Sequence, residues 1–298
     1  MFPIWAFISL GAAFAQAIRF MIQKQLSVST LSPAGATFAR FLYSAPLVAV
    51  FVGVYAWFIG QPLPHMGLDF WVFVLIGGAS QIIATVCTVA LFKRRNFAVG
   101  VTFAKTEVLF SVVLGFFLLS DGISLFGFSA ILIGLIGVLI LSNTDFKNGL
   151  RILNIGVLLG LASGVLFAIS AVNYRGAALS LDDGDFIFRG TLTLACVTTV
   201  QMLGMTVYLI VWEQGQINRV LASWQKSSLI GFTSMIGSAA WFTAFALQSV
   251  AYVKAVGQVE VLFSIVIGAL VFGERISKRE YLGIGLVVLS VVFLVIQV

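Results

Sequence analysis

Ten apolar runs follow one another along the chain, at about 3–26, 33–59, 69–92, 97–119, 123–142, 152–174, 186–212, 227–249, 253–272 and 279–298. Each approaches or exceeds the roughly 20 residues that a helix needs to cross the hydrocarbon core of a bilayer. They are apolar on every face and much longer than the ~10-residue alternating segments of a membrane β-barrel. The connections are short. The longest polar intervals, around Asn143 to Arg151 and Glu213 to Lys226, are ordinary loops and leave no room for a soluble domain. The pattern predicts an all-α polytopic protein with ten transmembrane helices and the lipid bilayer as its medium. Composition agrees, since 60% of residues are hydrophobic and only 9% are charged.

The first run ends in Ala15-Gln16-Ala17, which has the form of a signal-peptide cleavage site, but no positive region precedes it between Met1 and Trp5. It is therefore expected to be retained as a helix. The formal charge of +6 does not imply nucleic acid, because the basic residues come in ones to threes between apolar runs. Lys24, Lys93, Arg94, Arg95, Lys147, Arg151, Arg219, Lys226, Arg275, Lys278 and Arg279 cluster at the odd connections, and Asp69, Asp121, Asp182, Asp183 and Asp185 at the even ones. By the positive-inside rule the odd connections face the cytoplasm and both termini lie outside.

A glutamate interrupts two of the runs in the same way. Residues 105–111 read K-T-E-V-L-F-S and residues 258–264 read Q-V-E-V-L-F-S. Laid without a gap at an offset of 153, residues 97–124 and 250–277 agree at Ala98, Glu107, Val108, Leu109, Phe110, Ser111, Val113, Gly115, Ile123 and Ser124. The chain thus reads as two five-span halves, near 1–145 and 150–298. With an odd number of spans in each half, the second enters the membrane from the opposite side. This predicts an inverted-topology repeat with a solute site near the midplane, and the internal pair makes a monomer sufficient.

A carboxylate at a helix centre costs about 2.5–3.5 kcal/mol on insertion scales, so Glu107 and Glu260 are functional candidates that should face protein or a wet cavity. Ser111 and Gly115 follow Glu107 at helical spacing, as Ser264 and Gly268 follow Glu260, giving each helix a stripe suited to close contact. The alternative is that both glutamates only join helices by hydrogen bonds. Lys105 lies about 200° around the helix from Glu107, so its partner should be elsewhere. Lys254 stands near one end of its span, where a lysine can snorkel. Arg40 and Arg189 read as corresponding residues early in the second and seventh spans, as helix anchors or gates; Arg19 and Arg175 rank below them. Gln16, Gln81, Gln258, Tyr252, Tyr43 and Asn173 are further polar groups in or near spans, and Trp241, being mid-span rather than interfacial, is expected to line a pocket. Cys87 and Cys196 sit apart in apolar runs, and His65 is the only histidine. Neither a metal-ligand spacing, a nucleotide-binding loop nor a nucleophile set is present, so no cofactor and no enzymatic activity are expected.

The two-times-five pattern, the paired E-V-L-F-S segments, F-A-R-F around Arg40 and V-F-G-E-R-I-S at 271–277 resemble the drug/metabolite transporter superfamily in its ten-helix EamA-type branch. The resemblance covers essentially the whole chain. It implies a bacterial inner-membrane protein that exports or exchanges a small metabolite such as an amino acid or amine, often coupled to protons, through a central cavity. Two departures stand out. Val108 and Val261 occupy positions where the family commonly has proline, and the charge bias puts the termini outside whereas members usually have them in the cytoplasm. Within this frame Glu107 and Glu260 would share proton binding as a pair, with Lys105 and Lys254 meeting them or an anionic part of the substrate. An uncoupled facilitator or channel is the rival function.

Overall fold

The computed structural model describes residues 3–92, 104–141, 155–273 and 278–297. Lys93, Arg94, Arg95, Lys147, Arg151, Arg275 and the signature residues Glu274 to Ser277 lie outside them. Helices α1 (Ile4–Ser29), α2 (Pro33–Ile59), α3 (Leu68–Phe92), α4 (Glu107–Leu119) and α5 (Leu125–Leu141) form the first half. The second contains α6 (Ile155–Leu179), α7 (Phe186–Trp212), the short α8 (Gln216–Ala222), α9 (Trp224–Leu247), α10 (Val250–Val256), α11 (Glu260–Phe272) and α12 (Lys278–Gln297). Among the described residues seven helical stretches are long and apolar enough to cross a membrane, Val250–Val271 being counted as one; α4, α5 and α12 contribute shorter apolar segments.

Local chemistry sets the helix boundaries. Ser32 caps α2 by accepting from Gly35 N, with Pro33 in the first helical position, where its missing N–H costs nothing. Asp185 caps α7 by accepting from Phe188 N at 2.7 Å. Helices α4 and α11 stop at repeat-related residues, Ser120 and Gly273, which both take the left-handed conformation (φ 54° and 68°) and return their N–H to Gly115 and Gly268. The interval after Glu213 was expected to be a loop; instead Gln216–Ala222 forms one turn or two of helix, because Gly215 (φ 84°) turns the chain and Val220 finds a buried seat.

Both glutamate-bearing spans tighten just before their glutamate. Val108 N bonds Lys105 O at 3.3 Å and Leu109 N bonds Thr106 O at 3.2 Å, the three-residue spacing of a 3₁₀ turn, and Gly257–Val259 is a 3₁₀ turn between α10 and α11. A mid-span change of this kind often marks a hinge.

The halves are interleaved rather than set side by side. The principal packing partners cross between them: α3 with α6, α1 with α9, α2 with α7, α5 with α12, α4 with α6 and α1 with α11. Exchanging the halves maps this set onto itself. Glycines let the helices close up: a Cβ at Gly77 would meet the Tyr174 ring at 2.7 Å, and one at Gly176 would meet Phe73 at 2.8 Å. Two apolar clusters result, one including Trp5, Val52, Phe70 and Phe188 and the other Phe20, Phe38, Phe92 and Val261. On α1 the polar Gln16 and Arg19 fall between them.

Candidate functional site

Six charged side chains are buried among the described residues: Arg19, Arg40, Lys105, Glu107, Lys254 and Glu260. All belong to one polar centre. Glu107 and Glu260, 2% and 0% exposed, are the first residues of α4 and α11, directly after the two 3₁₀ turns. Their lysines are exchanged between halves. Lys105 donates to Glu260 Oε2, and Lys254 Nζ lies 3.1 Å from Glu107 Oε2. Pairing of this kind is what allows ions to sit out of reach of water. The two lysines do not correspond in the repeat, because Gln258 occupies the position matching Lys105.

Polar side chains close these ions into a ring. Gln16 donates to Glu260 Oε2 at 2.8 Å and accepts from Trp241 Nε1 at 3.0 Å. Lys254 Nζ in turn lies 4.7 Å from the centre of the Trp241 ring, a cation–π arrangement. Ser111 and Ser264, the serines of the two stripes, each donate the hydroxyl back to the carbonyl of their own glutamate at 2.8 Å.

Beside the ring is a cavity of about 20 Å³, room for about one water. Its polar lining includes Gln16, Arg19, Arg40, Gln81, Ser238, Trp241 and Lys254, and Phe167, Tyr174, Phe242 and Phe245 supply aromatic walls. Arg40 donates through Nε to Ser234 (2.8 Å) and through Nη2 to Ser238 (3.0 Å), while its Nη1 has no partner. Arg19 lies over Phe20, 4.4 Å from the ring centre, and its Nη1 is likewise buried without a partner. Gln201 holds the wall in place, donating to Gly78 O and Gln81 Oε1 at 3.0 Å each, while Tyr174 donates to Gly77 O at 2.9 Å.

Polar contacts also tie the halves together toward the two ends of the bundle. Arg175 grips Asp121 with two nitrogens (2.9 and 3.0 Å) and donates to Phe245 O and Gln248 O. At the other end Ser32 donates its hydroxyl to Glu213, and its N–H to Gln216 Oε1 at 3.2 Å.

Several expectations need correction. Lys254 does not snorkel: its span begins earlier than expected, at Val250, so the residue is 7% exposed and faces Glu107. Lys105 has its hydrogen-bond partner elsewhere, as its spacing required, yet its Nζ also lies 3.7 Å from Glu107 Oε1, because the chain at 105–106 is a turn and not regular α-helix. Arg40 and Arg189 are not equivalent. Arg40 is two turns inside α2 and 2% exposed, whereas Arg189 is in the first turn of α7, partly exposed, its Nε unpartnered. Tyr252 and Gln258 lie apart from the cavity, Tyr252 against Ser124 and Gly127, Gln258 against Gly134. Arg19, ranked low, lines it. The signal for Arg19 was its place one turn after Gln16 on the same helical stripe of α1.

Comparison with curated proteins gave no match. The profile of the EamA-like transporter family matches residues 3–143 and 154–296. A solved structure described only as the crystal structure of a protein is similar over 98% of this chain and 96% of its own, with a TM-score of 0.73 and 14% identity, a likeness of fold.

Proposed function

The chain belongs to the EamA-like transporter family, and from that premise we propose that this multi-pass membrane protein is a secondary transporter working by alternating access between two inverted five-helix halves, 1–145 and 150–298. The observation that carries this reading is the exchange of lysines at the centre: Lys105 of the first half holds Glu260 of the second, and Lys254 of the second holds Glu107 of the first. Relative motion of the halves must break or re-form these pairs. They sit where both spans tighten into 3₁₀ turns, and the neighbouring cavity, with room for about one water, suits a state closed around the solute site.

The glutamates are the coupling and gating groups in this scheme. A proton taken up by either carboxylate frees the lysine it holds, so proton binding and opening exchange energy through the same contacts. Arg175–Asp121 and Ser32–Glu213 close the two ends in turn. The solute is a small metabolite of the amino-acid kind, exported or exchanged; a simple amine suits the site poorly because its buried cations outnumber its carboxylates. The protein acts as a monomer in a bacterial inner membrane, with Gln81, Trp241 and Arg40 contacting the solute.

Proteoliposome uptake with wild type, Glu107→Gln and Glu260→Gln tests the role of the glutamates. Each glutamine variant is expected to lose most transport or its pH dependence; two variants that transport like wild type at every pH would reduce the glutamates to helix packing.

A further inference from the structure

The charges at the centre do not balance. Among the described residues the buried cations Arg19, Arg40, Lys105 and Lys254 face the two carboxylates Glu107 and Glu260, a formal excess of two positive charges. The excess is localised. The two lysines are taken up by the glutamates, whereas among the described residues neither arginine has a carboxylate within 4 Å: Arg40 donates to the hydroxyls of Ser234 and Ser238 and Arg19 stacks on Phe20. Each arginine is 2% exposed, each lines the cavity, and each keeps one Nη1 with no partner. Buried donors are satisfied in the great majority of cases, and guanidinium donors are the most costly to leave unpaired. A water can accept a hydrogen bond from them but cannot neutralise them.

We infer that Arg19 and Arg40 form the binding subsite for an anionic group, a carboxylate or phosphate, of a solute with net negative charge whose apolar or aromatic body lies against Phe167, Trp241 and Phe245. Guanidinium forks suit planar carboxylate and phosphate oxygens. This deepens the transporter reading and rests on it only for the solute's passage, not for its binding. The closed cavity is too small for such a solute, so it enters as the halves part and the arginines close on it.

The test uses purified full-length protein and four probes with one phenyl body: phenylacetate, phenyl phosphate, the neutral phenylacetamide and the cationic phenethylamine. Stabilisation against heating, which follows affinity by mass action, is read for each. At least one anion is expected to stabilise the wild type, with the amide and amine without effect at the same concentration. Arg19→Gln and Arg40→Gln should each weaken the anion about ten- to hundredfold, the range for a lost hydrogen bond to a charged group, and Arg19→Lys and Arg40→Lys should retain part of it. The wild-type comparison needs no variant to fold. No response to either anion, equal response to the amide, or undiminished anion binding in both glutamine variants overturns the anion subsite. Counterflow separates this from the transporter reading. Arginine-dependent anion binding without counterflow leaves the subsite standing and removes transport, whereas counterflow of only the amide or amine does the reverse.

Discussion

Lys254 and Glu107 offer the sharpest energetic test, because their Nζ–Oε2 distance of 3.1 Å joins the two halves in a site closed to water. At an effective dielectric constant of about 20 that separation corresponds to roughly 5 kcal/mol of attraction. Lys254→Met leaves Glu107 only the longer contact of 3.7 Å to Lys105, and Glu107→Gln leaves Lys254 facing aromatic rings. Removing one member of a buried pair costs about 3–5 kcal/mol, much of it the price of stranding the other. The double variant strands neither. Its loss should therefore fall short of the sum of the two single losses by about 0.5–3 kcal/mol, the coupling expected of residues in direct contact. Reversible unfolding in mixed detergent micelles at fixed pH gives all four free energies. Additivity within about 0.5 kcal/mol, the behaviour of distant sites, would refute the pairing.

Three smaller perturbations follow from the same geometry. A Cβ at Gly257 would run into the Trp241 ring, so Gly257→Ala should cost about 1–3 kcal/mol by overpacking and depress transport, whereas Gly285→Ala, with nothing within 4 Å, should be neutral or slightly stabilising in a thermal melt. Ser120 bears a left-handed φ of 54° where its repeat mate is glycine, so Ser120→Gly should raise the melting point and Gly273→Ser lower it, each by about 1 kcal/mol of stability. Asp121→Asn weakens the grip of Arg175 on one end of the bundle. It should speed labelling of a cysteine placed at Ser238 by a membrane-impermeant thiol reagent, with Cys87 and Cys196 replaced by alanine; unchanged labelling argues against a gate there.

The sequence carried the membrane architecture because apolar runs of about 20 residues admit few other solutions. Glu107 and Glu260 were readable for the same reason: a carboxylate inside such a run stands out, and its recurrence after 153 residues ties it to the duplication. What surrounds them was not readable. The serines that hold Arg40 stand nearly two hundred positions away, on a helix of the other half, and Gln16 meets Glu260 and Trp241 across still longer separations. Lys254 was misread because an apolar run does not reveal where its helix begins, and a shift of a few residues moves a lysine from an interface to the interior. Arg19 looked peripheral by its distance along the run, although one helical turn separates it from Gln16. Periodicity locates faces; only packing tells which faces meet.

Counterflow in proteoliposomes tests alternating access around a single central site most directly. Vesicles loaded with an unlabelled anion that stabilises the protein are diluted into a trace of the labelled compound. A carrier with one alternately exposed site predicts that label accumulates transiently above its equilibrium level, and that Glu107→Gln and Glu260→Gln reduce the overshoot or remove its dependence on pH. Label that only equilibrates, at a rate indifferent to the internal pool, would contradict alternating access and identify an open pathway instead.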